Sequence, residues 1–284
     1  MNYRRIALGL SFAGLGAAVN LSAADVVAVL SSGSAPYQAA LEGLKSVLGD
    51  VPSAVLPDMP PTAGVKVVVT FGSEAALKDY PSDATLVAAL LPDPSLDVKH
   101  SNATKVGLFP TAAVLAAKVK AVDSKVATLA VLNANGTYGD YIDQLGKAAG
   151  AAGFKVKAQK VESLDDVTSA VGGFKGGAEA LWIPPDPLLM NPKTFAAIKD
   201  GCASAGIALI APVSGLARAG ALAGIAPSFK QVGKAAGLAA KSAASGSPAG
   251  DWYYPGEVET CVNKTVAGTL GVSPASDAAD SSVE

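Results

Sequence analysis

A chain of 284 residues with a formal net charge of −2 and 16% charged residues carries no Lys/Arg stripe with interleaved aromatics, which argues against a nucleic-acid partner. Hydrophobic residues make up 50% of the chain, spread over many short segments; this allows a large core in one big domain or two ordinary ones, and past the N-terminus no run reaches membrane-spanning length. The two cysteines, Cys202 and Cys261, stand too far apart and too free of motif for a familiar zinc site.

The first residues read as an export signal. Arg4 and Arg5 precede the apolar stretch from Ile6 to Leu21, and Ser22-Ala23-Ala24 sets small residues at the −3 and −1 positions of a cut after Ala24. A membrane anchor is the rival reading, opposed by the Gly, Ser and Asn content of the run. Cleavage would start the mature chain at Asp25 in an extracytoplasmic space, most simply a bacterial periplasm. That compartment makes a Cys202–Cys261 disulfide chemically possible, while two small buried thiols fit the same residues.

From Asp25 to Leu30 a short β-branched run predicts a strand covered on both faces. Ser31 to Ser34 form a small hydroxylic turn; Ser34 can cap the next helix, Pro36 suits its first turn, and Ala40, Leu41, Leu44 and Leu48 give it an apolar face. Ser53 to Leu56 predicts a short strand, Pro57 to Thr62 a loop, and Val65 to Phe71 a strong strand entering Gly72-Ser73-Glu74 and a helix. Two helix N-termini should therefore meet at one sheet edge, where their free N–H groups favour an anion. Further strands are expected over Thr85 to Leu91, ending in Pro92-Asp93-Pro94, and over Lys105 to Phe109.

A second series repeats the same grammar. A helix over Thr111 to Val122 leads to a strand over Lys125 to Leu132, the turn Asn133 to Gly139 and a helix from about Asp140 to Ala152. Strands at Lys155 to Lys160, Ala178 to Ile183 and Ile207 to Ala211 alternate with helices at Leu164 to Val171 and Lys193 to Ala205. Gly220 to Ala226 reads as a strand, Phe229 to Ala244 as an Ala/Gly-rich helix and Glu257 to Val262 as the last strand. Two successive βα series predict two doubly wound parallel-sheet lobes. Residues 273–284, small, polar and acidic, are expected to be disordered.

The opening VVAVLSSGSAPYQAALEGLK, then LWIPPDPLLMNPKTF, SGLARAGALAGIAPSFKQVGKAAGLAA and the closing EVETCVNKTVAGTLGV together resemble the substrate-binding proteins of bacterial ABC importers, in the branch akin to tryptophan- and tyrosine-binding components. The resemblance runs from Asp25 to about Val272. It implies a type I periplasmic binding fold with three crossings between lobes: residues 25–110 and 214–248 in one lobe, 111–213 and 249–272 in the other, and a hinge near Pro110, Val213 and Pro248. It also implies a ligand held in the cleft, by Ser31, Ser32, Tyr37, Gly72 and Ser73 from the first lobe and Asn133, Asn135, Tyr138 and Asp186 from the second. The turn NANGTYG and the charged Glu74 depart from the family's usual pattern and bear on which ligand is bound.

Read on their own chemistry, Ser31, Ser32, Gly72 and Ser73 suit an anionic end, because small residues let hydroxyls and backbone N–H groups approach it. Asp186, held among Pro184, Pro185 and Pro187, suits an ammonium group, or else serves as a plain helix cap. Tyr37 and Tyr138 suit an apolar ligand portion or the core, Trp182 suits the core, and Arg218 suits either an anion or an ion pair at the hinge. His100, the one histidine, has no Ser or Cys constellation and takes no chemical role.

Three function classes compete. A ligand-sensing regulator needs a DNA-binding helix-turn-helix where this chain has its export signal. An enzyme needs a nucleophile, base or metal set, and HExxH, GxSxG, a P-loop and GxGxxG are all missing from the sequence. A monomeric, cofactor-free receptor that hands a small solute to an inner-membrane ABC permease uses every feature. The best-fitting solute is an amino acid or similar zwitterion, with an amide, organic acid or sugar, bound with or without an import role, as the alternative.

Overall fold

The computed structural model describes residues 25–247 and 250–284. The export signal and the hinge position at Pro248 lie outside the described residues.

The first lobe opens with β1 (Val26–Leu30), α1 (Ala35–Leu48), β2 (Ser53–Val55), β3 (Val67–Phe71), a single turn α2 (Ser73–Ala76), β4 (Thr85–Ala89) and β5 (Ala103–Val106). The chain then passes into α3 (Ala112–Val122), β6 (Thr128–Ala134), α4 (Gly139–Ala151), β7 (Lys155–Val161), α5 (Leu164–Gly173), β8 (Ala180–Trp182), the one-turn α6 (Pro187–Met190), α7 (Pro192–Ala205), β9 (Ala208–Ala211), the one-turn α8 (Gly215–Arg218) and β10 (Ala223–Ala226). It closes with α9 (Phe229–Ala244), β11 (Trp252–Tyr253), β12 (Glu259–Asn263), α10 (Lys264–Leu270) and β13 (Ser281–Val283).

These strands form two sheets, ordered β11-β5-β4-β3-β1-β2 and β13-β12-β10-β9-β8-β6-β7. All pairs are parallel except β10 with β12. Every residue of β1 and β3 is buried, as their unbroken apolar runs require of strands covered on both faces. In the first sheet Val26, Ala28, Leu30, Val67, Val69 and Phe71 share a core with α1 and α9, while Val27, Val29 and Val68 face a second core with α2. The second sheet is likewise covered on both faces, by α3, α4 and α10 and by α5 and α7. The expected pair of doubly wound lobes is therefore present.

The lobe boundaries differ from expectation at two of the crossings. β10 pairs in parallel with β9, so residues 214–226 belong to the second lobe, and the chain leaves it at Pro227 rather than near Val213. The one-turn α8 is what carries the chain back to start β10 beside β9, and a helix that short gives no periodic signal. Likewise β11 pairs with β5, so the third crossing follows Tyr253 instead of Pro248. The first and third crossings run side by side, tied by backbone hydrogen bonds from Gly107 N to Tyr253 O at 2.9 Å and from Thr111 N to Pro255 O at 2.9 Å.

Helices α1 and α9 approach through small residues. A Cβ at Gly43 would overlap the Lys230 carbonyl oxygen, and one at Gly233 would overlap the carbonyl oxygen of Ala40. The start of α9 is set by a capping box, in which Ser228 Oγ accepts from Gln231 N while the Gln231 side chain accepts from Ser228 N. In contrast, Ser34 occupies the N-cap of α1 without a side-chain capping bond, and its N–H donates to Ser32 Oγ at 3.1 Å in a tight turn.

The tail expected to be disordered is folded. β13 pairs in parallel with β12, Ala278 is fully buried, and the Asp280 carboxylate accepts from Thr260 N at 2.7 Å while Asp280 N donates to Thr260 O at 2.8 Å. A small polar composition is also what an edge segment needs when it docks through alanines and one carboxylate, so composition misled here. Truncation after Val272 is expected to lower the unfolding free energy by about 2–4 kcal/mol, from the backbone bonds of β13 and its flank, a charge-assisted bond and alanine burial. Urea denaturation with an unchanged midpoint would show the tail to be dispensable.

Candidate functional site

At the carboxyl edge of the first sheet, Leu30 and Phe71 are register partners, so the residues after them are neighbours. Ser31 N donates to Phe71 O at 2.9 Å, and Ser31 Oγ accepts from Ala75 N, inside α2, at 2.9 Å. Gly72 has φ 94°, a conformation that favours glycine, and a Cβ there would meet Ser31 Oγ at 2.6 Å and Tyr37 Cε1 at 2.7 Å. Ser31, Tyr37, Gly72 and Ser73 thus form one cluster at the strand ends. Ser32 closes its own loop on Ser34 N instead.

At the carboxyl edge of the second sheet, Asn133 Oδ1 accepts from Tyr138 N at 3.0 Å and closes the turn after β6. Asn135 is exposed at the apex with φ 51°. Tyr138 is buried; its hydroxyl donates to Pro185 O at 3.0 Å and its ring meets Phe109 edge-on at 5.7 Å. Next in the chain stands Asp186, only 4% exposed, which caps α6 by accepting from Leu188 N at 2.8 Å. Both readings of Asp186 thus stay in play, since a capped carboxylate keeps lone pairs for a ligand.

The electrostatics join the two lobes. Burial pushes the Asp186 carboxyl above its ordinary range; the Leu188 and Leu189 N–H groups oppose the shift, and the Asp93 carboxylate adds to it. The Tyr138 hydroxyl is pushed up by burial first, then by Asp186, Asp93 and Tyr254. Asp93 belongs to the loop after β4 of the first lobe, where its Oδ1 accepts from Ser95 N at 2.8 Å and Ser95 Oγ at 2.6 Å. Sequence reasoning passed over it. The signal was there: Pro92-Asp93-Pro94 after β4 repeats the Pro185-Asp186-Pro187 after β8, a proline-held carboxylate at the end of a strand in each lobe.

Other candidates fall elsewhere. Arg218 is exposed in the last turn of α8, and Gly220 two residues on lies against the Lys199 side chain, so Arg218 is not brought to the cluster. With the second crossing at Pro227 it is not at the hinge either. Cys202 and Cys261 are both buried and free, the second of the two alternatives the sequence left open. Cys202 lies in α7, packed in the core beneath β8 and β9, whereas Cys261 lies in β12, beyond β10, and burial pushes the Cys202 thiol up to about 12. Trp182 is fully buried, as expected of a core residue. Among the described residues no group of three or more His, Cys, Asp or Glu could hold a metal ion, and no helix is long and apolar enough to cross a membrane.

No family model and no curated protein sequence matches the chain. Solved structures share its fold. An ABC domain from Streptococcus pneumonia in complex with L-Trp is 19% identical with a TM-score of 0.55, over 92% of this chain and 100% of that one. A ligand-free, open substrate-binding protein with adhesive properties from Clostridium difficile is 18% identical with a TM-score of 0.59, over 91% of this chain and 98% of that one. A conserved domain protein from Vibrio cholerae is 17% identical with a TM-score of 0.56, over 92% and 100% of the two chains. The chain has the type I periplasmic binding fold, as its sequence resemblance implied.

Proposed function

We propose that the protein is an extracytoplasmic receptor that closes its two lobes around a small zwitterion, an amino acid, and presents it to the permease of an ABC importer, acting as an exported monomer without catalysis. The observation that carries this reading is the pair of proline-held carboxylates, Asp93 and Asp186, one on each lobe, with the Asp93 charge adding to the burial that already makes the Asp186 charge costly. An ammonium group between them relieves that cost, and does so better when the lobes close. The Ser31, Gly72 and Ser73 turn supplies hydroxyls and N–H groups for the carboxylate end. Asn133, Asn135, Tyr37 and Tyr138 line the approach, and the L-Trp complex of the fold neighbour is in keeping with an amino acid.

The narrow hinge supports closure, since among the described residues only the segments after β5, β10 and β11 join the lobes. A thermal-shift screen of the protein from Asp25 onward against amino acids, sugars and organic acids identifies the solute; at a hundredfold excess over Kd a ligand adds about 2.7 kcal/mol of stability. Small-angle scattering with that solute is expected to show a smaller radius of gyration than without it. A stabilising solute that leaves the radius unchanged would count against a closing receptor.

A further inference from the structure

Between the lobes, beside the second crossing, lies a cavity of about 340 Å³ whose lining is mostly apolar. Leu108, Phe229 and Val232 face it from the first lobe, and Pro185, Pro212 and Val213 from the second. Resting on the receptor reading above, we infer that this cavity is the subsite for the apolar part of the solute, with Val213 and Phe229 setting its size.

Three observations carry this. Val213 is 38% exposed and Phe229 49%, among the few large apolar side chains left open to solvent, and these two line one cavity from opposite lobes. Each is held in place by its local structure. A Cβ at Gly224 would overlap Val213 O and come within 2.6 Å of Ser214 Cα, so the glycine in β10 lets the turn after β9 lie flat on the strand and point Val213 outward. Phe229 is fixed as the first residue of α9 by the Ser228–Gln231 capping box. Third, the cavity adjoins the charged end of the cleft, because Pro185 lines it and its carbonyl accepts from Tyr138 beside Asp186. An ammonium at Asp186 therefore places the ligand next to this cavity.

The volume lies near the lower end of small-molecule sites, which suits a branched aliphatic chain or one six-membered ring, and the polar residues of the lining are Ser214, Ser228 and Glu259. Val213 and Phe229 are both exposed, so replacing them leaves the folded core alone.

Calorimetry with L-leucine, L-phenylalanine and D-ribose on the wild type, Val213→Trp and Phe229→Ala tests the subsite. The wild type is expected to bind at least one of the two amino acids and not ribose. Val213→Trp, which fills the cavity, should weaken that binding by about tenfold or more, and Phe229→Ala, which removes a wall, by about tenfold, with unfolding midpoints unchanged in both. Equal affinity in the wild type and both variants overturns the subsite and leaves the receptor reading standing. Binding of ribose alone overturns the subsite and the amino-acid reading together, while a wild type that binds none of the three at millimolar concentration overturns the subsite and leaves the receptor reading to the wider screen.

Discussion

Replacing Gly233 by alanine is expected to lower the unfolding free energy by about 2–3 kcal/mol or more, although alanine is the better helix former by about 1 kcal/mol. The two effects oppose each other, and the contact decides between them. Gly233 sits in α9 where it crosses α1, and the added Cβ would overlap the backbone oxygen of Ala40, which no rotamer change can move aside. The same crossing is closed from the other side by Gly43 against the backbone at Lys230, so the helices cannot slide apart without uncovering Ala40, Leu44, Val232 and Ala236 in the first-lobe core. Gly146 supplies the control. It lies within α4 and a Cβ there meets nothing within 4 Å, so Gly146→Ala should follow propensity alone and gain about 0.5–1 kcal/mol. Urea denaturation of both variants distinguishes the cases, and a Gly233→Ala protein as stable as the wild type would mean that α1 and α9 do not meet as described.

That crossing also shows which parts of the fold could be read from the chain. The apolar runs of β1, β3 and β4 declared buried strands because a parallel sheet covered on both faces needs no alternation. Helix α9 was placed from Phe229 to Ala244 with its ends correct, and its Ala/Gly content, noted as a composition, turned out to be the means of close approach to α1. Elements of one turn or a few residues, such as α6, α8 and β11, give no period to detect, and through α8 and β11 the second and third crossings were misplaced. The convergence of Ser31, Gly72 and Ser73 at the strand ends was legible because turns at strand ends of a doubly wound sheet converge by topology. Asp93 was missed although its Pro-Asp-Pro setting matches that of Asp186, since the match matters only once the two loops face each other. Val213 and Phe229 could not have been found, because an apolar residue announces its exposure only in the folded chain.

Asp186→Asn is expected to weaken amino-acid binding by about thirtyfold or more while leaving the folded protein at pH 7 as stable as the wild type or more so. The binding term follows from removing one partner of a desolvated charge pair, which costs about 2–5 kcal/mol. The stability term follows from the direction of the Asp186 shift. Its carboxyl is raised in the folded state, chiefly by burial, so the stabilising effect of protonation is fully present below the unfolded value near pH 4 and is lost as pH rises through the folded value. At pH 7 the fold therefore carries an ionised, poorly solvated carboxylate, and asparagine removes that burden. The cap on α6 survives, because asparagine accepts from Leu188 N as aspartate does. Acid titration of stability should bring the wild type back toward the variant below about pH 4. Asp93→Asn, at an exposed position, should weaken binding less, and the double variant should lose less than the two single losses added, since both carboxylates act on one ammonium. A destabilised Asp186→Asn protein that binds the amino acid as tightly as the wild type would make Asp186 a structural cap and nothing more.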